Sequence, residues 1–169
     1  MRLFMKGDVE QSLKDFEGGL EEYFATSIRY RSRLRRGSVV LLDDGDDMFR
    51  FLGFLSEKCG LEVGVVHVKE AASAKKAVED IGPLEVKAVV IDSGMLDDSV
   101  NGGSLPSWME QNHPRIPVWV VNCESDKKRW IRSRMSKVGV IGDDAPLAAV
   151  AEAIGFPDKC QKFAREYAS

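Results

Sequence analysis

Apolar residues in this chain follow two different patterns. Over the first 36 residues they recur at alternating steps of four and three: Val9, Leu13, Phe16, Leu20, Tyr23, Ser27, Tyr30 and Leu34. That is a heptad seam with Ser27 as its one polar member, and it predicts an amphipathic helix. Acids (Asp8, Asp15, Glu17, Glu21, Glu22) occupy the first half and arginines the second, which suits the helix dipole. Gly18-Gly19 costs about 1 kcal/mol per glycine relative to alanine and marks a place to bend or break. Segment 1–36 therefore reads as a separate dimerisation or docking element.

From Gly37 the period changes. Short, wholly apolar runs alternate with stretches of helical spacing. Strands are expected at Val39–Leu42, Leu61–Val68, Val86–Ile91, Val118–Val121 and Val138–Ile141. Helices are expected at Met48–Lys58 with Phe49, Leu52 and Leu55 inward, at Ala71–Asp80, and over about Leu105–Gln111. Two more follow at Lys127–Ser136 and Leu147–Ile154. Gly82-Pro83 closes the second of these, and Pro117 opens the fourth strand. Strands apolar along their whole length are buried on both faces. The chain from 37 to 156 is thus a doubly wound α/β domain with a five-stranded parallel sheet. Residues 157–169 read as a tail or a short, frayed helix.

Composition narrows the class. With 169 residues, 44% hydrophobic and 30% charged, this is the make-up of a globular domain, and no apolar run approaches the roughly 18 residues of a membrane span. No signal-peptide core follows the N-terminus, and Cys59, Cys123 and Cys160 form neither a metal pattern nor a disulfide framework. Both points suggest the cytoplasm. Basic residues crowd Arg29–Arg36 and Lys127–Lys137, but no accompanying nucleic-acid-binding fold supports the basic end of the N-terminal helix as a contact, which argues against nucleic acid as a partner.

The chemistry lies in where carboxylates gather. Asp43 and Asp44 end the first strand, Asp92 the third, Asn122 the fourth, and Asp143 and Asp144 the fifth. In a parallel sheet all these ends share one edge, where ligands bind. Carboxylates so close together raise one another's pKa or take up a cation, and an oxygen-rich set suits Mg2+. Asp144 is also placed to cap the helix that follows it. Lys127 and Lys128 are expected on a solvated helix face, and His67, His113 and an inert Cys123 carry no evident chemistry.

In that arrangement the chain from Ser38 to Ile154 resembles a response-regulator receiver domain. The resemblance rests on Asp43-Asp44 after the first strand, Asp92 with Met95 three residues on, Pro117 opening a strand that ends at Asn122, and Ala145-Pro146 after the fifth strand, where the family has Lys-Pro. It implies a flavodoxin-like sheet of order 2-1-3-4-5. It further implies Asp92 as phosphoacceptor and Asp43, Asp44, Asp92 and the Gly94 carbonyl as ligands of Mg2+. Asn122 would take the switch position.

Several positions depart from the family pattern. Ala145 replaces the lysine that neutralises the phosphoryl group, Asn122 replaces a threonine or serine, and the fifth strand has no aromatic switch residue. The departures favour a regulatory signalling protein that acts by protein–protein interaction, without enzyme activity and without reliance on phosphorylation of Asp92. Its partner would be a histidine kinase or a downstream signalling protein. Lys127, Lys128, Arg132 and Arg134 are the expected binding face, and the N-terminal helix a homodimer contact. The alternative within the resemblance is a Mg2+-dependent aspartyl phosphoacceptor of a two-component system. A different class, the haloacid-dehalogenase phosphatases, is similar in VKAVVIDSGML, VVNC and VIGDD, but Gly94 stands where that family needs its second acid.

Overall fold

The computed structural model describes residues 34–96, 105–135 and 137–168. Strands β1 (Arg36–Leu42), β2 (Glu62–Val68), β3 (Val86–Asp92), β4 (Val118–Cys123) and β5 (Gly139–Gly142) alternate with helices α1 (Asp47–Lys58), α2 (Ala71–Ile81), α3 (Leu105–Asn112), α4 (Ser125–Arg134) and α5 (Leu147–Ile154). Short 3-10 turns cover Ser93–Met95 and Asp158–Cys160, and α6 (Gln161–Ala168) closes the described chain. The sheet is parallel throughout its pairs and its order is 2-1-3-4-5, as the resemblance implies. The heptad seam and its glycine pair, apart from Leu34, lie outside the described residues.

Why the sheet has two covered faces is visible in β1 and β3. Their side chains alternate, so Val39, Leu41, Ala88 and Val90 enter one core with α1, α5 and α6. Val40, Leu42, Val89 and Ile91 enter the other with α2, α3 and α4. All eight are buried, and complete burial of one such valine, leucine or isoleucine is worth about 1.5–3 kcal/mol. These two strands are the rigid centre that fixes whatever follows their C-terminal ends.

Helix α1 buries Met48, Phe51, Leu52 and Leu55, a stripe of helical period, and carries Asp47 in its first turn and Lys58 in its last. Phe51 takes the inward place expected of Phe49. Phe49 is 39% exposed, and its ring stacks on His67 with 5.2 Å between centroids. Gly82, at a φ of 93°, ends α2 just before Pro83. At the far edge, Gly139 pairs with Trp119, and a Cβ there would stand 2.2 Å from the indole, so only glycine lets β5 approach the ring.

Two expectations about the chain's last part are corrected. The C-terminal segment is docked, not frayed: Cys160 and Ala164 are fully buried, and Tyr167 packs against Phe51 and Phe54 with centroids 5.3 and 5.1 Å away. Cys59, at the end of α1, is disulfide-bonded to Cys160, with Cα atoms 5.8 Å apart and a sequence separation of 101. Such a pair is brought together only by the fold, so spacing along the chain did not suggest it. Cysteine usage therefore no longer argues for a reducing compartment. Leu34 is buried in the same core, and its N–H donates to the Gly155 carbonyl at 2.7 Å, which ties the start of the described chain to the end of α5.

Candidate functional site

Register brings the acids together. Leu42 pairs with Ile91 and with Val68, so the residues that follow β1 and the last residue of β3 emerge side by side at the carboxyl edge. There Asp43, Asp44 and Asp92 each offer an oxygen, all within 4.8 Å of one another. Asp43 is buried, Asp92 half-buried and Asp44 exposed, so the group opens to solvent on one side. Asp143 and Asp144 lie outside this trio, although the same sheet edge was expected to gather them.

Asp43 and Asp92 are each fixed by their own loop. The Asp43 carboxylate accepts from the Gly45 N–H at 3.0 Å, and its backbone carbonyl accepts from His67 Nε2 at 2.9 Å. That second bond requires the proton on Nε2. His67, which carried no evident role in the sequence, is therefore a brace for the Asp43 turn. Burial pushes the Asp43 carboxyl above its ordinary value; the Gly45 N–H opposes this, and the charges of Asp92 and Asp44 reinforce it. A cation would relieve that cost.

Asp92 ends β3 and caps the 3-10 turn, its Oδ2 accepting from the Gly94 N–H at 3.0 Å. Its Oδ1 accepts from Asn122 Nδ2 at 3.1 Å. Asn122 reaches it from a left-handed backbone, φ 54°, a conformation asparagine tolerates better than most residues. Its carbonyl in turn accepts from Ser93 Oγ at 2.7 Å. The ends of β3 and β4 are thus cross-linked on both sides of the carboxylate.

The donor set fits Mg2+. Ligands of an octahedral ion at about 2.1 Å stand ~3 Å apart when adjacent and ~4.2 Å when opposite, so the three oxygens need only small side-chain movements to close on one ion. Bound there, Mg2+ would neutralise the acids and polarise an incoming oxyanion.

Basic residues divide unexpectedly. Arg132 and Arg134 are exposed on α4, but Lys127 and Lys128 are half-buried and turn towards the strand ends. Lys127 Nζ donates to the Ser93 carbonyl. Lys128 Nζ and Asp144 lie over Gly142, 3.7 and 2.6 Å from where its Cβ would be. Asp144 does not cap α5: Pro146 holds the N-cap position and no side chain bonds there. Cys123 is buried, and burial raises its thiol pKa against the pull of Lys127 and Lys128, which keeps it unreactive.

No family model matches this sequence, and no curated protein does. Solved structures do match in shape. A response regulator receiver domain protein from Clostridium thermocellum superposes with a TM-score of 0.55 at 13% identity, over 78% of this chain and 98% of its own. The signal receiver domain of a signal transduction histidine kinase from Syntrophus aciditrophicus gives 0.53 at 16% identity, over 75% and 91%. A bacteriophytochrome response regulator gives 0.51 at 18%, over 78% and 90%. The described domain has the fold of response regulator receiver domains. Nothing in these likenesses points to a haloacid-dehalogenase phosphatase.

Proposed function

We propose that this chain is a regulatory signalling module of the receiver type, which binds Mg2+ in its acidic crevice and acts through protein partners, not as an enzyme. The observation that carries the reading is the trio Asp43, Asp44 and Asp92 within 4.8 Å at the carboxyl edge. Asp92 is the acceptor best suited to a phosphoryl group. It is the half-exposed member, and Asn122 and Gly94 hold it from opposite oxygens. Transfer from an acyl phosphate would form the bond from the Asp92 oxygen to phosphorus and release the carboxylate leaving group with its electron pair. The partner would be a histidine kinase or a downstream signalling protein. The exposed Arg132 and Arg134, in the last turn of α4, offer such a partner a basic surface on that helix.

A second reading is supported by Ala145, which leaves the loop after β5 with Asp143 and Asp144 but no lysine. In it the module works by a fixed surface and Asp92 stays unmodified. Incubation with acetyl phosphate and Mg2+ separates the two. An acid-stable, base-labile gain of one phosphoryl group, absent from Asp92→Asn, is expected on the first reading. An unchanged mass in the wild-type chain would favour the second.

A further inference from the structure

We infer that Lys127, from the first turn of α4, supplies the positive charge that a phosphoryl group on Asp92 needs. This rests on the reading of Asp92 as an acceptor. A phosphoryl dianion on Asp92, beside the carboxylates of Asp43 and Asp44, would be repelled even with one Mg2+ present, so the crevice needs a further cation. The loop after β5 carries none, and Lys128 turns to the end of β5, its Nζ 3.7 Å from where a Gly142 Cβ would stand. Lys127 is different. Its Nζ donates to the carbonyl of Ser93, the residue next to Asp92.

Two features make that contact more than a packing detail. A lysine in the first turn of a helix faces the positive end of the dipole, with Lys128 as a like-charged neighbour, so the position is locally unfavourable. The residue is also well matched to a mobile role, because a neutral carbonyl is a weak partner for an ammonium and the four-carbon stem lets Nζ exchange it for a phosphoryl oxygen. In this arrangement the amide of Asn122 on Asp92 and the ammonium of Lys127 on the neighbouring Ser93 carbonyl come from β4 and the helix that follows it. The edge strand β5 contributes neither.

The test compares Lys127→Met, Lys127→Arg and Lys128→Met in the full chain. Acetyl phosphate with Mg2+ is the donor, and Mg2+ affinity is measured separately by calorimetry. Lys127→Met should phosphorylate roughly tenfold or more slowly than wild type, as when a preorganised donor to an oxyanion is removed. It should bind Mg2+ as well or better, since a repelling charge has gone. Lys127→Arg should recover part of the rate, and Lys128→Met should behave as wild type. A wild-type rate in Lys127→Met overturns the inference, as does a loss confined to Lys128→Met. Loss of Mg2+ binding together with the rate makes Lys127 a structural prop and also overturns it. A wild-type chain that binds Mg2+ but takes no phosphoryl group overturns the reading of Asp92 itself, and Lys127 with it.

Discussion

At the scale of the residue, Asp43 shows how the site is held against its own preference. It is 7% exposed, next to two other acids, and its carboxyl titrates above the ordinary value of 3.8. The folded chain therefore holds this proton to higher pH than the unfolded chain does. The stability contributed is fully present below 3.8 and is lost as pH rises through the folded value. Asp43→Asn should raise the melting temperature of the metal-free protein near neutral pH by about 2–4 °C, the shift expected for ~1 kcal/mol in a chain of this size. It should also remove this fall in stability as pH rises above 3.8 and abolish stabilisation by Mg2+. A lower melting temperature in metal-free buffer would show that the Gly45 bond outweighs desolvation. The acids themselves were legible in the sequence, because a carboxylate after an apolar run is conspicuous. His67, Ser93 and Lys127 were not, since their roles depend on partners 24, 29 and 34 residues away.

At the scale of the element, the period of the apolar positions located every strand and helix of the described domain to within a few residues. The errors were of phase and of ends. Phe49 was expected inside α1, yet Phe51 is there, because the helix rotates Met48, Phe51, Leu52 and Leu55 onto the sheet. The last helix was expected to fray, but its short apolar face finds the Phe51 and Phe54 rings. The disulfide from Cys59 to Cys160 fixes that docking. Closing a loop of this length in the unfolded chain is worth about 4–5 kcal/mol in chain entropy. Reduction, or Cys160→Ser, should lower the unfolding midpoint accordingly and increase proteolysis after α5. Equal midpoints with and without reductant would mean the two sulfurs are not bonded in solution.

At the scale of the molecule, the receiver fold puts the ends of β1, β3 and β4 and the start of α4 around one crevice. A protein partner would read that edge together with the basic outer face of α4. The heptad seam adds an expectation of a second kind: its last position, Leu34, packs into the domain core, and the seven before it have coiled-coil spacing. Homodimerisation through it predicts a dimer in sedimentation at micromolar concentration, converted to monomer by Leu13→Asp with Leu20→Asp. A monomeric wild-type chain would remove the dimer from the account. Among the described residues no helix is long and apolar enough to cross a membrane.

The sequence by itself determined the kind of domain, because strands apolar along their whole length must be covered on both faces and helices must alternate with them to do it. It also determined which residue types stand at the strand ends. Tertiary structure decided which of those ends meet. Parallel register placed Asp43, Asp44 and Asp92 together and left Asp143 and Asp144 outside the trio. A left-handed turn at Asn122 aimed an amide at Asp92, and the path of α4 brought Lys127 to the carbonyl beside it. Contacts of that kind span tens of residues, and no local pattern encodes them.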